Sequence, residues 1–234
     1  MGPPQRASPP MPLSTLELNP AAAPVATVVV LHGLGADGSD FLPVCRALDL
    51  DRIGPVRYVL PNAPLRPVTI NGGHVMPAWY DILSPDIGGA RAEDEAGLRA
   101  SAAEVAALIA AEVARGIPAR RIVLAGFSQG CALALLAGLR HPARLAGLAG
   151  LSGYLPLAAR TAAERHPANA DLPVFLAHGA QDDVVVPARG LAARDALLAL
   201  GQPLQWHSYP MAHALCQEEV DDLNAWLLQV LQAP

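Results

Sequence analysis

Apolar and polar positions follow two alternating periods along this chain, and the switches between them mark out its elements. Residues 25–31 (VATVVVL) form an unbroken apolar run that stops at His32-Gly33, as in a strand buried on both faces. A shorter strand, 56–60, is closed by Pro61-Asn62, and apolar runs at 121–125 (RIVLA), 145–151, 173–178 (PVFLAH) and 204–209 follow. Helical periods fill the gaps: 92–115 carries Leu98, Val105, Leu108, Ile109 and Val113 near one face, 129–139 and 189–200 come next, and 217–231 spaces Val220, Leu223, Leu227 and Val230 by three and four. Strands alternating with helices predict an α/β fold with a mostly parallel central sheet covered by helices on both faces. Residues 14–18 are expected to add an antiparallel edge strand. One stretch breaks the rhythm: residues 61 to about 90, with several prolines, Gly72-Gly73, Gly88-Gly89 and Trp79-Tyr80. A long aperiodic segment inside a compact domain is usually functional, and it is expected to form the lip of a binding groove.

Composition narrows the chemistry. The 234 residues are 52% hydrophobic and 16% charged, which is globular and not disordered. All 16 basic residues are arginine, so Schiff-base lysines, Ser–Lys dyads and P-loop lysines are excluded. A net charge of −5 with scattered arginines also lacks the basic patch of a nucleic-acid binder. Cys45, Cys131 and Cys216 are distant from one another and form no CxxC pair, so they are expected to be reduced and mostly buried thiols. No secretory signal precedes the first strand, Arg6 spoils a myristoylation pattern, and no apolar run approaches a membrane span, so a cytoplasmic setting without stable membrane insertion is expected. With no repeat and no interior linker, the expected organisation is a disordered Pro-rich tail at 1–12, where Met11 offers a second start, and one domain at 13–234.

The sharpest local signal is Gly126-Phe127-Ser128-Gln129-Gly130, directly after strand 121–125 and opening a helix. This is the strand–turn–helix setting of the G-x-S-x-G turn that lifts a nucleophilic serine clear of both elements. Side chains at either glycine would collide where strand and helix pack closely, and the helix N-terminus points unpaired N–H groups at the site. Such a serine needs an acid and then a base further along the chain. Asp182, with Asp183 as its rival, follows the strand PVFLAH. His213 follows the next strand, ahead of His207, inside a predicted strand, and His178, at the end of one. His32, His74, His141 and His166 are read as structural. The loop His32-Gly33-Leu34-Gly35 lies where a second oxyanion donor is needed, which assigns the two donors to the backbone N–H groups of Leu34 and Gln129.

The segments LHGLGADGSDF (31–41), PNAP with RPVTINGG and AWYD (61–81), GFSQG (126–130), HGAQDDVV (178–185) and the MAH ending at His213 occur in this order. Together they resemble the bacterial carboxylesterase and acyl-protein thioesterase family, also called the phospholipase/carboxylesterase family, of α/β-hydrolases, over about residues 14–232. The resemblance implies an α/β-hydrolase fold with Ser128 as nucleophile, Asp182 as acid, His213 as base, and Leu34 and Gln129 as oxyanion donors. It also implies that Leu65, Val75, Met76, Trp79 and Leu83 line the substrate groove. Ala214 departs from the pattern, since the family often carries serine after the catalytic histidine. The implied activity is hydrolysis of short-to-medium carboxylic esters through an acyl-enzyme, without metal or organic cofactor. Alternatives are thioester hydrolysis on protein cysteines or small thiols, lysophospholipase action, and acyl transfer to an alcohol. A catalytically silent binding protein is the reading from a different class. The implied partner is a small ester or thioester substrate, and the resemblance is compatible with a homodimer, although no interface can be read from the chain.

Overall fold

The computed structural model describes residues 13–84 and 92–232; the tail expected at 1–12 lies outside the described residues. Nine strands are present among the described residues: β1 (Thr15–Leu18), β2 (Ala26–Leu31), β3 (Val56–Pro61), β4 (Leu65–Val68), β5 (His74–Pro77), β6 (Ile122–Phe127), β7 (Gly147–Leu151), β8 (Val174–Gly179) and β9 (Leu204–Tyr209). Six α-helices accompany them there: α1 (Leu42–Ala47), α2 (Glu95–Ala114), α3 (Gln129–Arg140), α4 (Ala158–Glu164), α5 (Pro187–Ala199) and α6 (Gln217–Gln232). Seven strands make the central sheet in the order β1-β3-β2-β6-β7-β8-β9, all neighbours parallel except β1, which runs antiparallel to β3 as the edge expected at 14–18.

The continuous apolar runs follow from burial on both faces. Val29 and Leu31 of β2, with Ile122 and Leu124 of β6, point into a layer shared with α2, α3 and α5. Their neighbours Val28, Val30, Val123 and Ala125 point into the opposite layer, with Phe41, Cys45 and the Leu223, Trp226, Leu227 and Leu231 face of α6. The parallel strands therefore all open their carboxyl ends on one edge, where ligands bind in such sheets.

Between residues 61 and 84 the chain is more regular than its sequence suggests. β4 and β5 pair as an antiparallel hairpin through Gly72 and Gly73, both at positive φ (66° and 79°). Pro67 and Pro77 lie inside these two strands, which hides them from a search for alternation. The short helices α1 and α4 were likewise not expected. No helix among the described residues is long and apolar enough to cross a membrane.

Candidate active site

Ser128 stands between the end of β6 and the start of α3 with φ 55° and ψ −116°, outside the regions open to an ordinary L-residue. The surroundings hold this strain in place. A Cβ on Gly126 would overlap the Gly130 carbonyl, and one on Gly130 would overlap the Leu31 carbonyl of β2, so only glycines let strand and helix meet this closely. The Ser128 N–H donates to Leu151 O (2.8 Å), which ties the turn to β7.

Asp182 lies in the loop after β8, and His213 in the loop after β9. The two loops are stitched together by Ala180 N–H to Tyr209 O (2.7 Å) and Gln181 N–H to Met211 O (3.0 Å). His213 Nδ1 is 2.7 Å from Asp182 Oδ2, and its Nε2 is 2.9 Å from Ser128 Oγ. A carboxylate only accepts, so the proton sits on Nδ1 and Nε2 is left as the acceptor for the serine hydroxyl. The other carboxylate oxygen, Oδ1, takes the N–H groups of Val184 (2.9 Å) and Val185 (2.8 Å), and the Asp182 side chain has no solvent exposure. Phe127 packs on the His213 ring with centroids 4.7 Å apart. Asp183, the rival acid, is exposed, and its side chain is not the one that meets His213. His207 stacks on Phe175 and pairs with Asp222 at 3.1 Å, away from Ser128, and His178 lies behind Asp182.

The loop after β2 brings Leu34 beside the serine, and the Gln129 N–H is the first orphan donor of α3. Neither N–H has a backbone acceptor among the described residues. A frame of side chains fixes both. Gln129 Oε1 accepts from Trp79 N–H (2.8 Å) and its Nε2 donates to Tyr80 O (2.7 Å). The Trp79 indole donates to His32 O (2.9 Å), and Gly35 N–H donates to Pro77 O (2.9 Å). His32 accepts from Ala63 N–H at Nε2 (3.0 Å) and so donates from Nδ1 to Gly33 O (2.7 Å); burial pushes its pKa down, keeping it neutral. A cavity of about 600 Å³ opens over Ser128, its walls formed by Phe41, Ile70, Tyr80, Ile82, Phe127, Tyr154 and Val184 to Val186. That volume suits a small ligand.

A strained serine backed by this imidazole and carboxylate, beside two unpaired N–H groups, is equipped for acyl transfer. The family model described as Phospholipase/Carboxylesterase matches residues 18–231. The chain belongs to the phospholipase/carboxylesterase family. An acyl-protein thioesterase 1 of Mycosarcoma maydis is 44% identical over 238 residues, covering 94% of this chain and 98% of the relative. Another from Yarrowia lipolytica is 37% identical, covering 92% and 96%. Among solved structures, Zea mays acyl-protein thioesterase 2 superposes with a TM-score of 0.82 at 34% identity, over 93% of this chain and 99% of that one. The two curated relatives are fungal, whereas the motifs had suggested the family's bacterial side. The fold is the α/β-hydrolase fold, and the chain is a serine hydrolase of esters or thioesters.

Of the five residues expected to line a substrate groove, none is among those that line this cavity. Leu65 and Val75 project from the hairpin at 71% and 56% exposure. Met76 sits one layer back, its sulfur accepting from the amide of Asn71, which does line the cavity. Trp79 is wholly buried as the brace behind the oxyanion loop, and Leu83 is exposed one residue beyond the lining Ile82. The resemblance picked out the right segment, but which residues of a hairpin face inward depends on a register that it does not carry. Tyr154 and Val184 to Val186 were missed altogether. They follow β7 and β8, and position at the carboxyl edge of parallel strands was the signal that could have found them.

Proposed function

We propose that this phospholipase/carboxylesterase hydrolyses S-acyl thioesters of protein cysteines through an acyl-enzyme on Ser128, with short-to-medium carboxylic esters as accompanying substrates. The observation carrying the acyl-enzyme is the unbroken line Ser128 Oγ–His213–Asp182, at 2.9 and 2.7 Å, whose Ser128 and His213 face the cavity with Asp182 buried behind them. His213 Nε2 takes the hydroxyl proton as Oγ attacks the acyl carbonyl, and the N–H groups of Leu34 and Gln129 receive the oxyanion. Asp182 holds the imidazole in its Nδ1–H tautomer and stabilises the imidazolium. Collapse of the tetrahedral adduct expels the thiolate or alkoxide, which takes the proton from His213. Water then repeats the attack, releasing the fatty acid and free Ser128.

Esters come first on motif resemblance alone, and the thioester reading moves ahead of them because the fungal and maize relatives are named thioesterases. The same triad serves both, since they differ in leaving group and not in acyl attack. The test compares an S-acyl cysteinyl peptide with p-nitrophenyl esters of graded length, using wild type and Ser128→Ala. Wild type should turn over the thioester with the higher kcat/KM, and Ser128→Ala should lose about 10⁴-fold or more on both. Preference for the esters at every length would return the chain to the carboxylesterase reading. An active Ser128→Ala would remove the acyl-enzyme, and an inert wild type would favour the binding-protein reading.

A further inference from the structure

His178 is the last but one residue of β8, which is buried along its whole length, four residues before the carboxylate that faces His213, and takes no part in the mechanism above. The residue is 1% exposed, and its ring is pressed against α5, where a Cβ on Gly190 would overlap Nδ1. Trp206 of β9 covers it at a centroid distance of 6.5 Å with the planes 23° apart. Nε2 lies 2.7 Å from the Val185 carbonyl, which can only accept, so the proton is on Nε2. Nδ1 is then a bare lone pair, buried and without a hydrogen-bond partner.

Burying that lone pair carries a desolvation penalty that an apolar side chain of similar volume would not, so whatever the imidazole contributes lies at Nε2. The carbonyl it holds belongs to Val185, whose own N–H, together with that of Val184, donates to Asp182 Oδ1. Fixing the carbonyl fixes the turn that presents these two donors, and thus the plane of the carboxylate. Nε2 also lies 3.5 Å from Asp182 Oδ2, beyond hydrogen-bond length but with its positive edge toward the oxygen that His213 uses.

We infer that His178 is a positioning residue of the acid arm: by clamping the Val185 carbonyl it orients Asp182 toward His213 without touching substrate. This rests on the reading of Asp182 and His213 given above. His32 plays the matching part at the end of β2, where its two ring nitrogens fix Gly33 and Ala63 on the oxyanion side.

The test uses the full chain and p-nitrophenyl acetate, whose acyl group is too short to report on the cavity wall that Val185 also forms. Gln can place an amide N–H where Nε2 stands; Asn is too short to reach the Val185 carbonyl, and Phe fills the space without a donor. His178→Phe and His178→Asn should lower kcat by about 10- to 100-fold, the scale of a slight misplacement of a catalytic group, with KM within about twofold. His178→Gln should recover kcat to within about threefold of wild type. Should Phe fail to fold, the Asn–Gln contrast decides. Equal kcat in Asn and Gln, or losses that only track the folded fraction measured by active-site titration, would overturn the inference. Ser128→Ala assayed alongside separates the two levels: if it stays active the acyl-enzyme reading fails, and if it is inert while the His178 variants match wild type, only the clamp fails.

Discussion

Glu219, in the first turn of α6, shows how far a single side chain can depart from what its sequence position suggests. It carries no exposed surface, and neither carboxylate oxygen has a hydrogen-bond partner. Burial pushes its pKa up to about 8, with only part of the shift offset by the nearby N–H of Cys216. The folded protein therefore keeps this proton over a window in which the unfolded chain has lost it, so stability falls as pH rises from about 4.5 to about 8. At about 1.4 kcal/mol per unit, the loss across that window is roughly 5 kcal/mol. Glu219→Gln, which cannot ionise, should flatten this slope and be the more stable protein at pH 8, read as urea midpoints from pH 5 to 8.5. Parallel curves for the two proteins would mean that the carboxyl is solvated. The three side chains that the fold joins in one hydrogen-bonded line were legible one by one: Ser128 from its glycine-flanked turn, and Asp182 and His213 from chain order behind apolar strands. What a sequence lacks is the hydrogen-bond partner of each atom. Asp182→Asn tests that level directly. An amide at Oδ2 forces the wrong His213 tautomer, and kcat should fall about 10⁴-fold with the fold intact by circular dichroism.

Elements buried on both faces were readable because their apolar runs are continuous, as with β2 and β8, or because a turn motif followed them, as with β6. The β4–β5 hairpin was not, since it is short, proline-bearing and packed by one side only. Equally invisible was the lock between α2 and the sheet. Glu112 of α2 receives Arg57 of β3 (2.9 Å) and the Thr27 hydroxyl of β2 (2.6 Å), and its other oxygen receives Arg115. Arg57 and Glu112 are 55 residues apart in sequence, and each alone reads as an ordinary surface charge. In the fold both are buried, and Arg57 is further held by Asn19 at 2.8 Å. Removing one member leaves the other charge uncompensated, so Glu112→Ala should cost about 3–5 kcal/mol. Because the lock sits at the start of β2 and β3, away from their carboxyl ends, the folded fraction should keep its kcat. A drop in kcat per titrated active site would show that α2 transmits strain to the elbow through α3.

At the scale of the whole molecule, the parallel sheet gathers residues 34 to 213 onto one edge, and the charge of that edge bears on substrate choice. Asp40 and Asp183, both exposed, line the cavity, and among the described lining residues none is arginine. Arg189 is close by, but its guanidinium lies on the ring of Tyr154, whose hydroxyl is 2.6 Å from that of Tyr80. In the proposed reaction, a leaving group that projects from the mouth would meet the field of these two carboxylates. Thioesters whose thiol side carries lysine or arginine should be drawn in, and those carrying phosphate or carboxylate repelled. Two S-acyl peptides, identical except for flanking Lys or Glu, should differ by about tenfold in kcat/KM in favour of the cationic one. Near 1 M salt, where the Debye length shrinks to about 3 Å, the gap should close. Asp40→Asn with Asp183→Asn should close it at low salt too, leaving p-nitrophenyl acetate turnover unaltered because that small substrate carries no charge to the mouth. If the gap survives the double substitution, the preference arises from a wider surface of this net-negative protein and not from its cavity.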